Sequence, residues 1–129
     1  MGRWQDGKTE LTVGGDSGTA DRIRVPLEIA ASLRARTRGL LGRTGIDGAI
    51  LLTPASSVHT FRMKFPIDVA YLDRKLRVLS VRTMPPGRMG MVRFRARHVL
   101  EAEAGAMAGW GLRPGAQVEV DAATARPGR

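Results

Sequence analysis

Turn signals cut this chain into short segments, most of which alternate between apolar and polar residues. Alternation with period two puts one face of a strand in a core and the other in water. Residues 8–13 place Thr9, Leu11 and Val13 on one face and end at Gly14-Gly15-Asp16. Residues 22–28 place Ile23, Val25 and Leu27 together, and Pro26, lacking a ladder donor, marks this strand as an edge or its outer half. Residues 49–52 form a continuous apolar run after the Asp47-Gly48 turn, as a buried strand would. Residues 58–64 alternate up to Pro66, residues 67–72 are strongly strand-like, and Asp73-Arg74-Lys75 turns the chain into residues 76–84. Beyond the Pro85-Pro86-Gly87 loop, residues 92–101 read as a two-faced strand. Phe94, Ala96, His98 and Leu100 line one face; Arg93, Arg95, Arg97, Val99 and Glu101 line the other. Residues 117–120 make a last strand.

Helical spacing occurs twice. Ser32 suits an N-cap, and Leu33, Thr37, Leu40 and Leu41 share one face of a helix across Gly39 that Gly42 would cap. Residues 102–110 read as a second short helix. The pattern predicts a mainly β, single-domain, β-sandwich or barrel-like fold of short antiparallel strands with two short helices. A strand-and-turn segment at 1–21, a β-rich domain at 22–121 and a frayed tail at 122–129 are the expected divisions.

At 129 residues and 43% hydrophobic, the chain has material for one core. It has no cysteine, which removes disulfides, thiolate metal sites and a cysteine nucleophile. No apolar run approaches the length of a membrane span. The N-terminal residues show no export signal, so a cytoplasmic location is expected. The net charge is +9, and no acid interrupts the stretch from Arg74 to Leu100, which carries eight basic residues. Such a block attracts anions or simply solvates a face. Aromatic residues are too few and too poorly interleaved for a base-stacking platform, so nucleic-acid binding is not the first expectation.

Asp68 stands between Ile67 and Val69, where an unpaired carboxylate is costly. Either it is a functional acid or it pairs with Arg36, Arg38 or Arg43 and locks helix to sheet; the ion pair is favoured. Glu101 is expected to cap the following helix or to pair with Arg93 or Arg97, and with Asp68 it is a candidate acid–base pair. His98 shares a face with Phe94 and Leu100, as a core histidine would, whereas His59 follows a serine-bearing loop. The two histidines lack the tight spacing of a metal site, so neither a metal nor a cofactor is expected. Ser56 or Ser57 with His59 and Asp68 would make a triad, but no nucleophile-elbow motif accompanies them.

The residues also carry a resemblance. Arg36-Thr37-Arg38-Gly39-Leu40-Leu41-Gly42-Arg43 resembles the Arg-x-x-Gly-Leu-Met-x-Arg segment of the prokaryotic domain of unknown function family 192. Gly48-Ala49-Ile50-Leu51-Leu52, Thr60-Phe61-Arg62-Met63-Lys64-Phe65-Pro66-Ile67-Asp68-Val69-Ala70-Tyr71-Leu72-Asp73, and Val99-Leu100-Glu101-Ala102 and Gly105 with Gly111-Leu112-Arg113-Pro114-Gly115 are similar to further blocks of it, in the family's order. Arg62 stands where the family has Trp. The resemblance implies a mainly β, sandwich-like fold with a short helix around the first block, and it brings no activity or ligand.

The expected function is therefore a non-enzymatic binding or accessory domain for an anionic or polar small ligand or a protein segment. Arg38, Arg43, Phe61, Arg62, Met63, Arg93 and Arg95 are its expected contacts, with arginines drawing the anion and Phe61 and Met63 as an apolar wall. The alternatives are a hydrolase or lyase using His59, Asp68 and Glu101, and weak nucleic-acid binding through residues 74–97.

Overall fold

The computed structural model describes residues 4–14 and 22–121. The turn expected at Gly15-Asp16 and the tail at 122–129 lie outside them. Seven strands are present: β1 (Gly7–Val13), β2 (Ile23–Ala30), β3 (Ala49–Leu52), β4 (Ile67–Leu72), β5 (Val78–Met84), β6 (His98–Glu103) and β7 (Val118–Val120). Two helices accompany them, α1 (Leu33–Arg38) and α2 (Ala106–Gly109).

All seven strands join one sheet in the order β5-β4-β6-β3-β2-β1-β7. The sheet curls until its two edges meet. Val78 N–H donates to the Ala116 carbonyl at 2.8 Å, Gly115 N–H to the Val78 carbonyl at 2.8 Å, and Val118 N–H to the Leu76 carbonyl at 3.1 Å. Closure of this kind leaves little exposed strand edge. Inside, Leu11, Val13, Leu27, Leu51, Leu72, Leu100 and Val118 form the larger core. A second apolar layer lies on the outer face of the central strands, where Ile50, Ile67, Val69, Tyr71 and Val99 are covered by Leu40, Met84 and Ala96. Strand β4 is buried at all six positions because it has cover on both sides.

The mainly β architecture with two short helices is as the sequence pattern predicts. Several local readings differ. The expected all-antiparallel arrangement has one exception, since β2 and β3 run parallel. Pro26 does not mark an edge: β2 lies between β1 and β3, and the β3 ladder begins one residue later, at Leu27. Gly48 passes so close that a Cβ there would stand 2.1 Å from the Pro26 carbonyl oxygen. Helix α1 stops at Arg38, because Gly39 takes φ +47 and acts as the C-cap in place of Gly42. Its six residues bury none of their side chains, and Leu40 enters the outer layer from the turn that follows. Residues 58–64 form no strand; a single bridge from His59 to Met89 replaces it, and Arg62 turns the chain at φ +64. The expected long strand at 92–101 begins only at His98, because Ala96 N–H bonds back to the Arg93 carbonyl in a turn. Strand β6 then continues to Glu103, which shortens the second helix to four residues.

Candidate functional site

The β4–β6 ladder sets Asp68 opposite Ala102 and Val69 opposite Glu101. Alternation then sends the two acids to opposite faces. Asp68 shares its side with Ala70 and Leu72 of the inner core, while Glu101 lies with Val69 and Val99 of the outer layer. Their proposed partnership as an acid–base pair therefore does not form.

Asp68 is 3% exposed and fully engaged. Its Oδ1 accepts from the Thr83 hydroxyl at 2.6 Å, and its Oδ2 accepts from the backbone N–H groups of Gly105 at 2.9 Å and Met107 at 3.1 Å. Among the described residues no arginine clamps it. The expected ion pair forms elsewhere: Arg43 holds both carboxylate oxygens of Glu28 at 2.8 Å, which keeps Glu28 below the usual carboxylate range. Arg36 instead donates to the carbonyls of Ala31 and Pro54. Asp68 thus ties α2 to the barrel through neutral donors.

Glu101 is the opposite case. It is 5% exposed, and no hydrogen bond or ion pair reaches it among the described residues. It neither caps α2 nor pairs with Arg93 or Arg97. Burial alone pushes its carboxyl up to about 7. It lines a cavity of about 100 Å³ roofed by α1 and the turn after it, with Leu40, Leu52, Val58 and Met63 as apolar wall. Arg36, Thr37, Arg38, Gly39, Leu41, Ser57 and His59 complete the lining. His59 Nδ1 accepts from the Phe61 N–H at 3.3 Å, and the two rings stack with centroids 5.0 Å apart. Of the expected site residues, Arg38, His59, Met63 and Glu101 are therefore brought together; Ser57 and Thr37 join them.

The remaining expected contacts scatter. Phe61 and Arg62 are exposed on the turn outside this cavity, and Arg43 is engaged by Glu28. Arg93 and Arg95 part company because the 93–96 turn breaks the strand alternation. Arg95 lines a shallow hollow with Arg74, Lys75 and Arg97. Arg93 packs over Tyr71, its guanidinium carbon 5.4 Å from the ring centroid, beside Arg82 and Arg88. His98 is the core histidine its pattern implied: it bonds the Thr53 hydroxyl at 2.7 Å, meets Trp4 edge-on, and is held below its ordinary pKa by burial. A His59–Asp68 site fails on geometry, since the two line different faces of the sheet, and the serine triad fails with it. Among the described residues, no three His, Asp or Glu side chains gather as a metal would require.

Sequence comparison adds the family. A model of domain of unknown function family 192, described as an uncharacterized ACR, matches residues 16–120. The chain belongs to that family. It is 32% identical over 84 residues to UPF0127 protein PH1112 of Pyrococcus horikoshii, covering 61% of this chain and 73% of that relative. Two solved structures share the fold. One is a Sinorhizobium meliloti protein described as a "putative transcription regulator", at 18% identity and TM-score 0.77, covering 92% of this chain and 98% of the other. The second is a Novosphingobium aromaticivorans protein of unknown function, at 22% identity and TM-score 0.71, covering 85% and 83%. All four sequence blocks that resemble the family contribute to the Glu101 cavity, through residues 36–41, Leu52, Met63 and Glu101 itself.

Proposed function

We propose that this member of family 192 is a non-enzymatic binding domain whose small polar ligand sits in the Glu101 cavity. The observation that carries the reading is a buried carboxyl with no partner of its own, lining a hollow that mixes apolar side chains with Thr37, Ser57, His59 and two arginines. A carboxyl in such a place is stabilised by a ligand that donates to it, so the ligand carries an amine, amide or hydroxyl at one end and a short apolar body. A volume of about 100 Å³ admits roughly three waters or one small group. The ionised form of Glu101 repels an anion at the carboxyl itself, so an anionic group on the ligand would lie toward Arg36 and Arg38.

Small amines, amides and alcohols screened by amide NMR test the proposal. Binders should shift residues 37–41, 57–63 and 100–102 and be lost in Glu101→Ala. Binders that map elsewhere, or that survive the substitution, would overturn it. A second reading has one observation in its favour: a carboxyl titrating near neutrality beside His59 has the properties of an acid–base pair. It requires turnover of a bound compound that disappears in both Glu101→Gln and His59→Ala.

A further inference from the structure

A second hollow lies apart from Glu101's cavity, between β4, β5 and the loop at 85–93. It encloses about 270 Å³, and its lining includes Tyr71, Arg82, Arg88, Met89, Met91 and Arg93. Three features make it unlike an ordinary solvated basic face. First, among the described residues none of its three arginines has a carboxylate within ion-pair distance, although Arg22, Arg24 and Arg43 each have one. Second, Arg93 Nε is buried and has no acceptor. A guanidinium nitrogen removed from water without an acceptor is destabilising; half-buried Arg36 and Arg43 avoid that cost by bonding carbonyls and the Glu28 carboxylate. Third, Arg93 and Arg82 both lower the Tyr71 phenol against the rise that burial and the Glu101 charge cause, so two guanidinium charges converge on one hydroxyl. That hydroxyl makes no hydrogen bond among the described residues. Gly90 lets the loop pass over it: a Cβ at that position would stand 2.6 Å from the Tyr71 oxygen.

We infer that this groove binds a phosphate monoester that carries an apolar group. Three unpaired guanidinium forks and a phenol supply donors for a dianion with three terminal oxygens, which a monoanionic carboxylate matches less well. Met89 and Met91, each 70% exposed, border the charges with flexible thioethers that fit an aliphatic or aromatic body. No acid lies in the chain between Arg74 and Leu100 to compete for the arginines. The groove and Glu101's cavity share no lining residue.

The test uses the full chain at near-physiological salt, with phenyl phosphate, inorganic phosphate, benzoate and vesicles of phosphatidic acid in phosphatidylcholine. Phenyl phosphate should bind more tightly than phosphate or benzoate and should shift the Arg93 Nε–H resonance. Arg88→Ala, on an exposed side chain that leaves the fold intact, and Arg93→Ala should each weaken binding by about tenfold, while Arg113→Ala should not. If phenyl phosphate and the vesicles both bind, the natural source is a lipid headgroup; if phenyl phosphate binds and vesicles do not, it is a soluble ester. An unmoved Arg93 resonance, unchanged affinity in both groove variants, equal binding of benzoate, or vesicle capture without phenyl phosphate binding would each overturn the assignment.

Discussion

Asp68 and Glu101 sit one step apart on the same strand ladder and are almost equally buried, at 3% and 5% exposure. Asp68 faces inward and receives three donors, two of them the first N–H groups around α2. Glu101 faces outward into a cavity and receives none. A buried acid in a strand is therefore no marker of a site by itself. What separates the structural acid from the candidate site is the supply of donors, and that supply comes from segments remote in sequence.

The comparison breaks most sharply at Asp68. Asp68→Ala should cost about 4 kcal/mol in denaturant unfolding, because it leaves the Thr83 hydroxyl and two backbone N–H groups without an acceptor. A cost below about 1 kcal/mol would mean that the three bonds are not what holds α2. Glu101 comes next, through pH. Its carboxyl is raised from 4.5 to about 7, so between those values the folded chain keeps a proton that the unfolded chain releases. Its contribution to stability should be full below pH 4.5, fade as pH rises through 7, and be lower by about 3 kcal/mol once the group is ionised in both states. Glu101→Gln should remove that slope, measured as unfolding free energy at pH 5 and pH 8; a slope that persists would assign it to another group.

Leu40→Ala sharpens the contrast further. Leu40 is 2% exposed and forms part of the cavity wall, so its truncation should cost about 2 kcal/mol. By admitting water it should also bring the Glu101 titration, followed by carboxyl carbon NMR, down toward 4.5. The smallest effect belongs to Arg43→Ala. Its bidentate pair with Glu28 is about one-third exposed, so the loss should stay below about 1 kcal/mol. A loss that rivals Asp68→Ala would restore the arginine clamp that the sequence alone favours for Asp68.

Much of the fold was legible because it rests on local alternation. Thr9, Leu11 and Val13 are buried as their spacing requires, and so are Val25 and Leu27. The hairpin at Asp73 forms as its residues imply, with the aspartate oxygen accepting from the Lys75 and Arg77 N–H groups. Alternation misled at residues 92–97, where every second residue is arginine but the backbone turns back on itself at Arg93. Helical spacing misled at Leu33, which is apolar yet 72% exposed. The candidate site was half legible. His59, Met63, Arg38 and Glu101 could be named singly from their chemistry, and Ser57 as part of a triad that does not form, but Thr37 showed only a helical face, and nothing in sequence spacing ties α1 to β6. Tyr71 and Arg82 were hidden for a different reason: each reads as an ordinary strand residue, and only the 85–93 loop folded over them makes a groove.

The sequence by itself determined where most of the strands run, which of their faces are apolar, and that a carboxylate would be buried at Asp68. Those are short-range matters, governed by period-two alternation and by turn residues a few positions apart. Only the tertiary structure decided which acid is satisfied and which stands open. That outcome depends on which segments close over each face of the curled sheet, and the donors and cavity walls they bring lie tens of residues away along the chain.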